Sequence, residues 1–270
     1  MMLASVWLFA TPFLLAHVSA ITILCLGDSI TAGAEGSWRI NLRDALRSQG
    51  HTPKFVGTTC DICPTSRERS SVMCEGCALG EPHEGHYAWQ LAEVLRGSTR
   101  FDPIWGNLTL WLGRMEQFDI ALVHLGSNDV MVREPSEIVQ DLWELVGRLR
   151  QRSPYAKIFL AQIIPTSGAC PSVNQLNSLD DWVRARTGPD DAAFTHFSTR
   201  IPTLNAAIAQ SFAEASTSES PLVVVDHSTG FDAASLTWDG IHPNAGGDQE
   251  MAERWLRSLQ QHALGTKFDL

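Results

Sequence analysis

Positive charge is scarce in this 270-residue chain. Twenty Lys and Arg residues stand against thirty Asp and Glu, giving a formal net charge of −10 and a pI near 5.3. An acidic surface repels phosphate backbones, which argues against nucleic acid as a partner and leaves neutral polymers such as polysaccharides open. After residue 20 no apolar run approaches bilayer-spanning length, so no membrane partner is expected. No internal repeat and no long low-complexity linker is present. The G-x-S-x-G elbow of the α/β-hydrolases is missing, because Thr31 stands where its last glycine would be. H-E-x-x-H is missing too, which discounts a protease-type zinc site. What remains, 44% hydrophobic and 19% charged, is an ordinary globular composition for one large domain or two small ones.

The first twenty residues stand apart. Met1 to Ala16 is almost uninterrupted apolar sequence that closes on Val18-Ser19-Ala20, the pattern of a secretory signal peptide, although it lacks a Lys or Arg at its start. The expected mature chain begins at Ile21 and is extracellular. Asn107-Leu108-Thr109 is a glycosylation sequon that fits export. Four of the six cysteines form Cys60-x-x-Cys63 and Cys74-x-x-Cys77. Ten residues between the pairs are fewer than a zinc ribbon uses, and an oxidising compartment favours disulfides. Cys25 reads as a buried free thiol, and the pairing of Cys170 stays open.

Short apolar runs alternate with helical periodicities. Strands are expected at Ile21–Leu26, Lys54–Gly57, Ile120–Leu125, Ile158–Ile164 and Leu222–Val225, mostly apolar throughout, as strands covered on both faces are. Between them run amphipathic stripes: Trp38, Leu42, Ala45 and Leu46; Ala88, Leu91, Ala92 and Leu95; Ile138, Leu142, Leu145, Val146 and Leu149. Two more follow, at Ile201, Leu204, Ile208, Phe212 and Ala215, and at Met251, Trp255 and Leu259. Five strand–helix alternations imply a three-layer αβα sandwich around a five-stranded parallel sheet. The irregular stretches Thr58–Glu84, Gly97–Gln117 and Pro165–Thr195 read as loops on a single domain, 21–264, with 265–270 as a tail. In such sheets ligands sit beyond the carboxyl ends of the strands, so chemically useful residues should follow strands.

Four segments meet that demand. Gly27-Asp28-Ser29-Ile30 follows the first strand, although a Ser there also serves as a plain helix cap. Gly126-Ser127-Asn128-Asp129 follows Ile120–Leu125, and the Asn128 amide can face a developing oxyanion. Asp239-Gly240-Ile241-His242-Pro243-Asn244 follows the last strand. Its Asp and His, three apart in a turn, can pair so that the second ring nitrogen takes a proton from a hydroxyl. His83-Glu84-Gly85-His86-Tyr87-Ala88-Trp89 precedes a helical stripe and can present a second backbone oxyanion donor.

These blocks, in this order and spacing from about Ile21 to Leu259, resemble the GDSL or SGNH hydrolase superfamily, whose fold is flavodoxin-like. The resemblance implies a nucleophile at Ser29, an oxyanion amide at Asn128, a base at His242 and its orienting acid at Asp239. Gly27–Arg39, His83–Trp89, His124–Val130 and Asp239–Gly246 look most like the carbohydrate-esterase branch that contains acetyl xylan esterases. That branch has Ser-Gly where this chain has Tyr87-Ala88, and its glycine supplies an oxyanion N–H. Ala88 keeps an N–H but is strained if φ is positive there; Gly85 is the alternative donor.

The reading is therefore a secreted, monomeric serine esterase without metal or cofactor. It would cleave short acyl esters, acetyl first, on a polysaccharide, with Trp38, Trp89 or Trp238 as a surface for sugar stacking. The alternatives are a lipase or general carboxylesterase, a sugar O-acyltransferase on the same scaffold, and a non-catalytic carbohydrate-binding module.

Overall fold

The computed structural model describes residues 20–33, 37–60, 81–100, 106–167 and 192–264. The expected signal peptide (save Ala20), the tail after Leu264, and Cys63, Cys74, Cys77 and Cys170 lie outside the described residues. The strands are β1 (Ile21–Gly27), β2 (Pro53–Val56), β3 (Thr59–Cys60), β4 (Pro82–Gly85), β5 (Ile120–His124), β6 (Lys157–Gln162) and β7 (Leu222–Asp226). The helices are α1 (Ser29–Ala32), α2 (Trp38–Ser48), α3 (Leu91–Arg96), α4 (Leu108–Arg114), α5 (Pro135–Arg152), α6 (Ala192–Phe212), α7 (Ala233–Leu236) and α8 (Ala245–His262).

All five expected strands are present. They lie in the order β2-β1-β5-β6-β7, every pairing parallel. Two short strands add to them. β4 joins the same edge of β1 that β2 occupies: β2 pairs with Ile21–Leu24, and β4 with Leu26 and Gly27. β3 pairs antiparallel with β4. The stretch Thr58–Glu84 is therefore not wholly loop. Pro-His-Glu-Gly carries no β-branched signal, and β4 forms because its backbone meets the free end of β1.

Side chains alternate across the sheet. Leu24, Leu26, Ala121, Val123, Ile158 and Leu160 face α3–α6, while Ile23, Cys25, Leu122, Phe159 and Ala161 face α2 and α8. Both faces are covered, which explains why the strands read as apolar runs. Cys25 is buried and forms no disulfide. Helix ends follow from local chemistry. α5 starts at Pro135, with Glu134 and Glu137 forming a capping box, and carries Arg150 and Arg152 in its last turn. α4 lies in a stretch expected to be loop. Asn107 caps it, Oδ1 accepting from Leu110 N at 3.2 Å, and Leu108, Trp111 and Leu112 bury one face. α3 begins at Leu91, not at Ala88, because Ala88 has φ 61° and Gln90 caps the helix.

Two histidines lie in the core at strand ends, His124 on β5 and His227 just after β7, their rings edge-on with centroids 6.0 Å apart. His227 also packs on Trp255, 4.5 Å away. Burial pulls His124 down to about 4. Burial also pulls His227 well below its ordinary value, helped by the charges of His124, Arg254 and Arg257. The unfolded chain takes up these protons near pH 6.5 and the folded one does not, so each histidine costs stability as pH falls below 6.5. Replacing His227 by Phe removes one such group and leaves the other titrating groups common to both proteins. In urea unfolding, the stability difference between variant and wild type should move toward the variant by about 2 kcal/mol from pH 7 to pH 5. A difference that does not change with pH would show that His227 titrates freely in the fold.

Candidate active site

The sheet order reverses at β1: the chain leaves it toward β2 on one side and returns to β5 on the other. Ligands bind at such a switch point, beyond the carboxyl ends of the two diverging strands. Ser29 follows β1 and Asn128 follows β5.

β1 ends at Gly27, where a Cβ would lie 2.0 Å from Thr31 Oγ1 and 2.6 Å from the His124 carbonyl, so only glycine fits between the strands. Asp28 then caps α1, its Oδ1 accepting from Ile30 N at 3.0 Å, and Ser29 is the first helical residue. Burial raises Asp28 to about 6. Ser29 Oγ lies 2.9 Å from His242 Nε2.

His242 sits on a closed loop. Trp238 N donates to His242 O at 3.0 Å, and Thr237 bridges Pro243. Asp239 Oδ1 accepts from Ile241 N at 2.9 Å and His242 N at 2.7 Å, and Oδ2 lies 2.7 Å from His242 Nδ1. Burial pushes Asp239 upward, but the bonds and charge of His242 and the two backbone N–H groups outweigh it and hold the carboxyl below its ordinary value. An ionised Asp239 only accepts, so Nδ1 carries the proton and Nε2 is left to accept from Ser29 O–H. Ser29, His242 and Asp239 thus form one hydrogen-bonded chain, able to move a proton off the serine.

Asn128 Nδ2 donates to Trp89 O at 2.9 Å, and its second N–H has no acceptor among the described residues. The next residue, Asp129, accepts from Leu91 N at the start of α3 with both oxygens, at 3.1 and 2.9 Å. These bonds tie the Asn128 turn to residues 89–91. His86 N in turn donates to Gly27 O at 3.0 Å, and Tyr87 Oη to Gly33 O, so the 86–88 segment lies against the turn that carries Ser29.

Residues 23–255 match the profile of the GDSL-like lipase/acylhydrolase family. The chain belongs to that family. It is 26% identical over 260 residues to a multidomain esterase of Ruminococcus flavefaciens, covering 93% of this chain and 30% of that one, so it spans less than a third of that relative. A carbohydrate esterase family 3 structure from Talaromyces cellulolyticus superposes with a TM-score of 0.64 at 27% identity, over 89% of this chain and 97% of that one. An acetyl esterase mutant crystallised with acetate ion gives the same four values. A family 3 carbohydrate esterase of Clostridium thermocellum shares the fold, with a TM-score of 0.57 at 20% identity over 88% of this chain and 94% of that one.

Within this GDSL-like site the two backbone candidates separate. Gly85 N donates to His83 Nδ1 at 2.9 Å, and a Cβ on Gly85 would meet Ala32 N at 2.4 Å. Its N–H is engaged by His83, and the need for glycine there is explained by packing against α1. Ala88 N–H has no acceptor among the described residues. The tryptophans separate too. Trp38 and Trp89 are buried in the core and unavailable to a sugar; Trp238 is half-buried and stacks on His242, centroids 5.5 Å apart at 17°.

The motifs do not disclose a buried support beneath the site. His86 Nε2 pairs with Glu84 Oε2 at 2.8 Å, and its ring stacks on Trp111 at 4.0 Å. Arg39, on α2, donates to the end of α1. An i,i+8 link from an arginine to a four-residue helix has no sequence signature.

Ala88 is the only non-glycine with positive φ among the described residues. An L-residue in that region carries about 1 kcal/mol of strain. Ala88→Gly should therefore raise the unfolding free energy by about 1 kcal/mol, and Ala88→Val should lower it by more. Paired urea titrations decide this; a Gly variant less stable than wild type would show the conformation to be unstrained.

Proposed function

We propose that this protein is a serine esterase that removes short acyl groups, acetyl in particular, from polysaccharide. The observation that carries the reading is the continuous chain from Ser29 Oγ through His242 to Asp239, 2.9 and 2.7 Å long, at the switch point of the sheet. Ser29 Oγ attacks the ester carbonyl as His242 Nε2 takes its proton, and Asp239 stabilises the resulting imidazolium. The second N–H of Asn128, with the N–H groups of Ser29 and Ala88, faces the tetrahedral oxyanion. Collapse expels the alcohol, protonated by His242, and leaves an acyl-serine. Water, deprotonated by the same histidine, then releases the acid.

The substrate class rests on the relatives: an acetyl esterase and a family 3 carbohydrate esterase, both 27% identical. An acid-rich surface of net charge −10 suits a neutral polymer. Export as a monomer belongs to the same reading, with the apolar leader removed, Cys60, Cys63, Cys74 and Cys77 joined as a loop staple, and a glycan on Asn107. Asn107 caps α4 through Oδ1, whereas a glycan attaches at Nδ2, so the two are compatible.

Ser29→Ala should abolish turnover of p-nitrophenyl acetate with an unchanged circular dichroism spectrum; full residual activity would remove Ser29 as nucleophile. Asn128→Ala should lower kcat by about 10²–10³ with little change in KM. A loss confined to KM would make Asn128 a substrate-positioning group instead. On natural esters, acetate release from acetylated xylan should exceed hydrolysis of long-chain acyl esters. The reverse order would favour a lipase, and acyl transfer to an added sugar would favour a transferase.

A further inference from the structure

We propose that Arg39 is the positioning residue of the nucleophile: its buried guanidinium clamps the C-terminal end of α1 and thereby fixes Ser29 at the other end. The inference rests on the esterase reading above. A helix of four residues cannot hold itself, and its last carbonyls have no partner within the helix. In α1 the Asp28 and Ser29 carbonyls accept from Ala32 N at 2.9 Å and Gly33 N at 2.8 Å. The Thr31 and Ala32 carbonyls accept from Arg39 instead, Nε at 2.6 Å and Nη2 at 3.0 Å. The third nitrogen, Nη1, reaches the Glu81 carbonyl at 3.5 Å. Glu81 directly precedes β4, which leads into the Ala88 turn.

Arg39 is 1% exposed, so it reaches no solvent and no substrate. Its neighbour Trp38 packs on Trp255 of α8, centroids 5.5 Å apart, and Trp38 N donates to Asp248 of the same helix. The loop bearing His242 feeds directly into α8. One side chain therefore binds the segments that carry Ser29 and Ala88, and stands on a helix packed against the one that follows His242. Only a planar fork fits adjacent carbonyls in this way; an ammonium is a single point charge. The clamp acts on geometry at the reacting hydroxyl, so its loss belongs in kcat.

The test compares Arg39→Lys and Arg39→Ala with the wild-type chain on p-nitrophenyl acetate. Since displacing a reacting group by about 1 Å costs up to 10²-fold, kcat should fall about 10-fold in the Lys variant and about 10²-fold in the Ala variant, with KM within about twofold. Millimolar guanidinium ion should restore part of the kcat of Arg39→Ala and nothing in the wild type. Folded variants that keep kcat within about twofold, a loss carried by KM, or a loss that guanidinium does not touch would each overturn the proposal. So would failure of both variants to fold, which would make Arg39 a folding determinant only. A wild-type chain inactive on every ester would bring down the esterase reading itself, and the positioning role with it.

Discussion

Gly27 is the point at which three strands meet. On one edge it pairs with His124 of β5, on the other with Gly85 of β4, and Thr31 of the following helix turns back over it. Any side chain there would overlap the Thr31 hydroxyl and the His124 carbonyl, so the junction closes only on glycine. Ser29 stands two residues beyond this junction and Asn128 four residues beyond its partner His124. The lateral spacing of the two groups is thus set by backbone hydrogen bonds between β1 and β5. The imidazole comes from a loop after β7, two strands further across, and reaches the serine because the loop is pinned by its own Asp239 carboxylate.

Several buried carboxyls surround this junction, and their environments divide them. Asp239 receives two backbone N–H groups and an imidazole, which together overcome burial and keep it ionised. Asp28 and Asp129 lie as deep or deeper, and burial prevails: each is raised to about 6. Asp28 receives one backbone N–H, from Ile30, and Asp129 receives Leu91 N and the Arg133 guanidinium. Depth of burial, set against the donors each receives, therefore decides which carboxylate can offset an imidazolium and which ones only fasten turns: Asp239 is the least deeply buried of the three, and only there do the donors prevail. One residue type in one rim serves two purposes without any difference visible in its immediate sequence.

That contrast also marks how far the sequence could be read. The five long strands were legible because both faces of the sheet are covered, which turns each strand into an apolar run. The Ser29, Asn128 and Asp239/His242 segments were legible because they follow those runs, and the structure does bring them together at the sheet's rim. What was hidden depends on contacts between distant segments. β4 has no β-forming composition and exists because β1 leaves an open edge. Asn107 with Leu108, Trp111 and Leu112 was a readable cap and stripe for α4, but one too short to stand out from a loop. The choice between Gly85 and Ala88 could not be made from His-Glu-Gly-His, since nothing there says that His83 will turn its Nδ1 onto the Gly85 amide. Arg39 looks like any helical arginine until the fold places the end of α1 beside it.

Ala88 shows what such a frame can tolerate. A left-handed alanine is held there at a cost of about 1 kcal/mol, and local propensity would relax it. Four bonds around the turn oppose relaxation: His86 N to Gly27 O, Tyr87 Oη to Gly33 O, Asn128 Nδ2 to Trp89 O, and Arg100 Nη2 to Ala88 O at 2.9 Å. At about 1 kcal/mol net for each such bond, their sum exceeds the strain, so the turn keeps its shape without glycine. Two of the four anchor on the segment that carries Ser29 and one on Asn128 itself. The same bonds that enforce the unfavourable φ therefore also hold residues 86–89 against the turns that carry Ser29 and Asn128, and strain at this position is a consequence of the site's geometry rather than a defect in it.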